Sequence, residues 1–188
     1  MRKVVLFMHI SLDGFAADVH GGLDWISYDE ELEKYAEGIV QSVGSPLYGR
    51  ITYQMMQGYW PTVFDNPEAT EHDLAHARWI QDVEKVLFST TLTDVTWQNT
   101  RLIKDNIVEE INHLKQQPGK DLVIFGSPAL ARSFLKLDLI DSYHLTLNPV
   151  ILGTGISFFP AIKEKTNLKL INSQTFKSGV IALHYARA

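Results

Sequence analysis

Segments rich in apolar residues alternate along this chain with segments of helical periodicity. The strand-like segments are residues 3–10, 45–49, 85–89, 101–103, 122–125 and 141–152. The helix-like segments are residues 28–43, a helix from residue 50, and residues 70–81, 106–117 and 127–136. Strands joined through helices make right-handed crossovers, so this order predicts a mainly parallel sheet with helices packed on it. Segments 168–176 and 180–187 are joined by a Lys-Ser-Gly turn and predict an antiparallel hairpin at the end.

Two stretches of this pattern are predicted to be irregular. Residues 11–27 form a long loop, a length that is uncommon and often functional. Residues 58–66 are rich in turn formers. We expect Ser27 to cap the helix that follows the long loop, with Glu30 as its capping-box partner.

Composition limits the classes of function. The 188 residues, 45% hydrophobic, fit one domain spanning 1–188. A net charge of −5 gives no electrostatic reason to bind nucleic acid or an anionic membrane. The absence of cysteine excludes disulfides and thiolate metal sites. The apolar run 4–10 is too short to span a membrane and lacks a cleavage site, so we expect a cytoplasmic protein.

The first candidate site is the strand-to-helix junction Gly49-Arg50-Ile51-Thr52. Gly49 allows a phosphate to approach the backbone, and the first amides of the helix are unpaired donors. Arg50 adds a guanidinium suited to a phosphate monoester, and Thr52 adds a hydroxyl. The alternative is a capped helix start with a solvated arginine.

Two more strand ends carry suitable residues. Gly126 and Ser127 follow a buried strand and precede Pro128, an arrangement that suits a pyrophosphate. Only one glycine of the dinucleotide fingerprint is present, and Ser127 as a simple N-cap explains the pattern equally well. Ser89 and Thr90 end another strand, where hydroxyls bind a ribose phosphate or merely satisfy the loop backbone.

Four short motifs occur in an order that resembles the dihydrofolate-reductase-like superfamily. They are Ser11-Leu12-Asp13-Gly14, the GRITY run 49–53, the IFGS run 124–127, and Leu139-Ile140-Asp141 leading to 148–155. The most similar branch is the C-terminal reductase domain of the bifunctional riboflavin-biosynthesis deaminase-reductases and its stand-alone relatives. The resemblance covers nearly the whole chain.

The resemblance implies a three-layer α/β/α fold with an eight-stranded, mostly parallel sheet and NADPH across its carboxyl edge. It implies that Arg50 faces the 2′-phosphate, Thr52 the pyrophosphate, and Ser89 with Thr90 the adenosine. The cofactor-binding set comprises Gly49, Arg50, Thr52, Ser89, Thr90, Gly126, Ser127, Ala129 and Leu130. The set bordering nicotinamide and substrate comprises Ser11, Gly14, Trp25, Pro149, Leu152 and Gly153.

The implied activity is hydride transfer to a small heterocycle, similar to that of 5-amino-6-(5-phosphoribosylamino)uracil reductase. Asp13 is the candidate for orienting the substrate or supplying a proton through water, and its alternative is a turn-forming residue before Gly14. After Trp25 the chain departs from folate-reducing enzymes. Asp29 and Glu30 lie near the place of their carboxylate, but both also suit the first turn of a helix.

Some patterns are given a structural interpretation. His72 and His76 are four residues apart, yet no further ligand is evident, so we expect a solvated helix face and no metal. The aromatic residues Tyr59, Trp60, Phe64 and Trp79 favour packing over a wall for a planar ring.

Two further functions stay open at this point. One is a ligand-binding module without turnover, and the other is a flavin- or nucleotide-binding protein using the same cleft. The resemblance also implies a homodimer. The substrate itself is not determined.

Overall fold

Eight of the strands form one sheet in a computed structural model that describes residues 1–159 and 165–188. The strands are β1 (Val4–Ser11), β2 (Phe15–Ala17), β3 (Val43–Gly49), β4 (Lys85–Phe88), β5 (Thr100–Ile103), β6 (Asp121–Phe125), β7 (Ser142–Asn148), β8 (Ile156–Ser157), β9 (Leu168–Thr175) and β10 (Ile181–Arg187). The sheet order is β5-β4-β3-β6-β1-β7-β10-β9. All neighbours from β5 to β7 are parallel, and β10 pairs antiparallel with β7 and β9. The predicted eight-stranded, mostly parallel sheet with a terminal hairpin is therefore confirmed.

Helices cover both faces of this sheet. They are α1 (Glu30–Ser42), α2 (Arg50–Tyr59), α3 (Glu71–Asp82), α4 (Ile107–Gln116) and α5 (Pro128–Lys136), with a 3₁₀ helix at Trp60–Asp65. Along β1, Val4 and Leu6 pack in the core beneath α4 and α5, whereas Val5 and Phe7 pack beneath α1. Side chains of α2 and α3 pack on the same face as α1, since Tyr53 and Ile80 contact Tyr48 and Leu87. This alternation produces the three layers.

The connections that follow β3, β6 and β1 leave the carboxyl edge of the sheet towards different faces. The chain leaves β3 and β1 towards α2 and α1 on one face, but leaves β6 towards α5 on the other. Because β6 lies between β3 and β1, its end is a topological switch point on both sides. In open α/β sheets, ligands bind at such a switch point.

Several predicted boundaries differ from the structure. The N-cap of α1 is Asp29, whose carboxylate accepts from the Leu32 amide, so the prediction of Ser27 as the cap is wrong. Strand β7 ends at Asn148 rather than residue 152, because Pro149 has no amide to donate to the ladder. Residues 58–66 are largely helical, as the end of α2 and the 3₁₀ helix.

The long loop 11–27 is also more ordered than predicted. Within it, β2 pairs antiparallel with β8 in a small second sheet. Gly155 permits this pairing, because an added Cβ would lie 2.4 Å from the Ala17 carbonyl oxygen.

Candidate active site

The two glycine-containing junctions predicted from sequence meet in space. The Gly49 amide donates to the Ser127 Oγ over 3.0 Å, joining the ends of β3 and β6. A Cβ on Gly49 would lie 3.1 Å from that Oγ and 3.5 Å from the Leu130 Cβ. Gly49 therefore lies at a close approach of the two turns, where an added Cβ would force the Ser127 hydroxyl to shift slightly.

Both helices that start at this meeting point lack the usual N-terminal partners. In α2 and α5 no side chain caps the first turn, and the first turn holds no acidic residue. Among the described α-helices these two alone combine both features, since α1 and α3 have side-chain caps and α4 has Glu109 and Glu110. Ser127 occupies the N-cap position of α5, but its hydroxyl serves Gly49 instead of capping. Two unpaired helix N-termini facing one crevice favour an anion there.

The other predicted cofactor residues surround this point. Arg50 is exposed, and within the described residues its guanidinium donates a long hydrogen bond of 3.4 Å to the Gln54 side chain. Thr52 is buried in the first turn of α2. Ser89 and Thr90 follow β4, whose Phe88 pairs with Gly49 across the sheet. Ala129 is exposed and Leu130 buried in the first turn of α5. We call the set Gly49, Arg50, Ser89, Thr90, Gly126 and Ser127 the nucleotide shelf, after the cofactor that the sequence resemblance predicts for it.

The predicted substrate-side residues also converge, at the ends of β1 and β7. The Asp13 carboxylate accepts from the amides of Leu152 and Gly153 at 3.1 and 2.8 Å, and from the Ser11 hydroxyl at 2.6 Å. These bonds, with that of Ser11 foremost, lower the pKa of Asp13. Asp13 thus joins the Ser11–Gly14 turn to the segment 149–153. A carboxylate held ionised in this way is better suited to positioning than to donating a proton.

The segment before α1 is fixed to the same region. The buried Asn148 accepts from the Ser27 amide at 3.1 Å and donates to the carbonyls of Ile10 and Thr146. Trp25 donates its indole N–H to the Gly22 carbonyl and is partly buried. Pro149 is exposed directly after Asn148. The segment containing Trp25 therefore borders the ends of β1 and β7.

A cavity of about 280 Å³ lies beside the nucleotide shelf, between the sheet, α1 and α3. We call it the acceptor cavity, and its lining residues are Phe7, Tyr28, Glu33, Ala36, Val40, Tyr59, Trp60, His72, Asp73, His76 and Phe125. The Gly126 amide donates to the Phe7 carbonyl at 2.9 Å. Phe125, which lines the cavity, directly precedes Gly126 of the shelf, so the cavity and the shelf are adjacent.

The cavity corrects the interpretation of two histidines. The prediction of a solvated helix face for His72 and His76 is wrong, because both line this cavity. His76 stacks on Trp60 with ring centroids 4.1 Å apart and an interplanar angle of 23°. Burial lowers the pKa of His76 to about 4, so its imidazole is neutral near pH 7. In residues 1–159 and 165–188 no cluster of three potential ligands could hold a metal ion.

Sequence reasoning also overlooked Glu33 and His9. Glu33 lies 3.8 Å from the His72 Nδ1 and lines the cavity. It precedes Ala36 and Val40 by three and seven residues, so an acid on the apolar stripe of α1 was a usable signal. His9, near the end of β1, hydrogen-bonds to Thr146 at 2.5 Å, and burial lowers its pKa to about 4. No spacing pattern marks His9, because its partner is on a distant strand.

The carboxylates predicted as alternatives have other roles. Asp29 caps α1, and the Leu32 amide is the main cause of its lowered pKa. Glu30 is exposed in the first turn of α1. Of the aromatic residues, Trp79 packs on Phe125, which confirms the packing interpretation for it, whereas Tyr59 and Trp60 line the cavity. Their role as a wall for a planar ring stays a prediction.

Comparison with known families decides the relationship. Residues 2–182 match the model of the RibD C-terminal domain. The chain belongs to this family. Two Bacillus subtilis (strain 168) proteins of uncharacterised function are similar over almost their whole lengths. YyaP is 34% identical over 98% of this chain and 94% of its own, and YwjB is 30% identical over 100% and 99%.

Solved structures share the fold of this RibD C-terminal domain. A candidate riboflavin biosynthesis protein from Shewanella sp. PV-4 superposes with a TM-score of 0.78, 23% identity and 99% coverage of both chains. A diaminohydroxyphosphoribosylaminopyrimidine deaminase/5-amino-6-(5-phosphoribosylamino)uracil reductase from Thermotoga maritima gives 0.70 and 16% identity. The chain spans 57% of that bifunctional protein. The predicted resemblance to the C-terminal reductase domain of the riboflavin-biosynthesis proteins is confirmed by the family match, and the predicted fold by the solved structures. No helix in the described ranges is long and apolar enough to cross a membrane.

Proposed function

We propose that this protein is an NADPH-dependent oxidoreductase that reduces a small heterocyclic acceptor. The observation that carries the proposal is the contact between Gly49 and Ser127, which brings two uncapped helix N-termini together at a sheet switch point. Membership of the RibD C-terminal domain family, whose fold occurs in reductases, supports it.

The residues of the nucleotide shelf fit a pyrophosphate and a phosphate monoester. Amides at the start of α2 and α5 would bind the pyrophosphate, because these helices have no side-chain cap of their own. Arg50 would bind the 2′-phosphate, and Ser89 with Thr90 would bind the adenosine side. The nicotinamide group would supply the hydride when bound.

The protein's own residues would orient the acceptor and exclude water. Phe7 and Phe125 form the floor next to the shelf, and Trp60 forms a wall. Asp13 would hold the 149–153 segment over the ends of β1 and β7, as its hydrogen bonds to Leu152 and Gly153 indicate. In this proposal Asp13 positions the substrate only through that segment, since Asp13 is not among the residues that line the acceptor cavity. Any proton would reach the substrate through water.

Calorimetric titration with NADPH and NADH tests the cofactor assignment. A hydrogen bond to a charged group contributes about 1.5–3 kcal/mol, so Arg50→Ala should weaken NADPH binding about ten- to hundredfold. NADH lacks the phosphate and should bind the variant as it binds the native protein.

Lys104→Ala is a matched control, because Lys104 is exposed beyond β5 and outside the nucleotide shelf. It should leave both affinities unchanged. Equal losses for NADPH and NADH in Arg50→Ala would contradict the 2′-phosphate role. No binding of either dinucleotide would leave the alternative, a non-catalytic nucleotide- or flavin-binding module, and flavin absorbance in the purified protein would favour its flavin form.

A further inference from the structure

The acceptor cavity has an acidic lining. Among its lining residues Glu33 and Asp73 are the carboxylates, and none of the described lining residues is lysine or arginine. His76 adds no positive charge near pH 7, because burial keeps its pKa at about 4. The nucleotide shelf next to it has the opposite preference, since helix N-termini and Arg50 favour anions.

The walls of the cavity suit a planar ring. Trp60 and His76 are stacked almost parallel, and the Phe7 and Phe125 rings meet edge-to-face at 5.9 Å. Tyr28 and Tyr59, which are 57% and 52% exposed, stand at the mouth. Aromatic faces bind flat rings and also attract cations.

The two carboxylates act on the same part of the cavity. The Tyr28 pKa is raised by burial first, and then by the negative charges of Glu33 and Asp73. Glu33 also lies 3.8 Å from His72, so its carboxylate is directed across the space between α1 and α3. An anionic group on the acceptor would meet these charges at short range, and the described lining holds no lysine or arginine to compensate them.

We propose that the acceptor is a planar aromatic heterocycle with amino groups, ring N–H groups or a positive charge on the edge that meets Glu33 and Asp73, and with no phosphate or carboxylate in the cavity. This inference rests on the proposed function. It excludes acceptors that would place a phosphoribosyl group inside the cavity. The cavity prefers cations and the shelf prefers anions, and this difference would also orient the cofactor and the acceptor. The phosphates of the cofactor would bind at the shelf, and the edge of the acceptor ring would face the two carboxylates.

Three aromatic probes of the same shape test the charge preference without any cofactor. Benzamidine, benzamide and benzoate carry charges of +1, 0 and −1, and each is titrated while the Trp60 indole N–H signal is followed by NMR. Charged hydrogen bonds predict that benzamidine binds about tenfold or more tightly than benzamide. Benzoate should bind most weakly of the three. Glu33→Gln should reduce the preference for benzamidine about tenfold.

The matched control is Glu37→Gln, one turn further along the exposed face of α1 and outside the cavity. It should leave the order and the affinities unchanged. Glu33 is chosen over Asp73 because Asp73 is part of the capping box of α3, and its loss would disturb that helix. The thermal midpoint of Glu33→Gln verifies that the variant is folded.

Benzoate binding as tight as benzamidine, an unchanged preference in Glu33→Gln, or binding that leaves the Trp60 signal unmoved would each overturn the proposal. The calorimetric titration with NADPH is independent of these probes. If the protein selects benzamidine but binds no NADPH, the charge preference of the cavity holds and the proposed reductase function fails. The failure of one proposal is therefore distinguishable from the failure of the other.

Discussion

Gly126 and Ser127 have φ angles of +57° and +49°, so two successive residues of the shelf adopt the left-handed conformation. For a residue with a side chain this conformation costs about 1–2 kcal/mol. Ser127 adopts this conformation at the position where its hydroxyl oxygen accepts a hydrogen bond from the Gly49 amide. The strain lies at the point where the structure brings β3 and β6 together, which is typical of functional turns.

Replacing Gly126 tests this backbone requirement without a steric clash, because nothing lies within 4 Å of an added Cβ. Gly126→Ala should lower the free energy of unfolding by about 1–2 kcal/mol. Gly126→Asn should cost less, because asparagine tolerates the left-handed region. Urea denaturation measures both. Gly38→Ala, in the exposed interior of α1, is the control and should stabilise by about 0.5–1 kcal/mol. Equal losses for alanine and asparagine would contradict the backbone explanation.

At single positions the sequence predicted the shelf better than the cavity. Gly49 and Gly126 follow buried strands and precede helices, a local pattern that one short segment displays in full. Glu33 had only the weak signal of an acid on the apolar stripe of α1, and His76 had none, because the surroundings of both depend on how α1 packs near α3. A polar residue on a helix is assigned to solvent by default, and only tertiary structure shows that it lines a cavity.

Among the elements, β9 differs from every other strand of the large sheet. All eight of its residues are exposed, and it forms one edge of the sheet. Leu168, Leu170 and Ile171 are 38%, 50% and 50% exposed. An exposed edge strand with apolar side chains is prone to pair with another chain.

We propose that β9 contributes to the homodimer expected from the family resemblance. Leu170→Lys should shift the protein to a monomer, because a charge at the apolar edge opposes pairing. Sedimentation equilibrium measures the mass of the native and variant proteins. Lys136→Ala, on the exposed end of α5, serves as the control and should leave the mass unchanged. A native protein that sediments as a monomer of 21.3 kDa would contradict the proposal.

The shortest elements are the ones that the sequence did not predict. Strands β1 and β6 were predicted from apolar runs and helices α1 and α3 from their periodicity, and all four predicted spans fall within a few residues of the observed ones. The three-residue β2 and two-residue β8 display no period, so their small sheet was missed. The pairing that orders them depends on segments about 140 residues apart.

Across the described residues, three partly buried histidines, His9, His76 and His144, are neutral near pH 7. Burial lowers the pKa of His9, His76 and His144 from 6.5 to about 4. His144 accepts or donates a hydrogen bond with the Tyr35 hydroxyl and stacks on His184 with centroids 4.0 Å apart. These groups are distributed over β1, α3 and β7, so their protonation is linked to global unfolding.

In the unfolded chain these histidines bind protons as the pH falls through 6.5, whereas in the folded chain they bind them only near pH 4. Stability should therefore be full above pH 6.5 and decrease towards pH 4. Each histidine contributes about 1.4 kcal/mol per pH unit at most in that window. Urea denaturation from pH 7.5 to 4.5 measures the slope. His144→Gln should reduce it by about one proton, whereas His113→Gln, at an exposed site on α4, should not change it. A flat profile would contradict the assignment.

The nucleotide shelf and the acceptor cavity are built from different parts of the chain. The shelf depends on two tight turns after β3 and β6, whereas the walls of the cavity come mainly from α1, the 3₁₀ helix and α3. Residues 59–76 can thus vary without disturbing the contact between Gly49 and Ser127. On the proposed function, the acceptor preference would be free to diversify within a lineage while the turns that bind the cofactor stay fixed. Two descendants of one ancestor would then share a coenzyme and differ in the compound they consume.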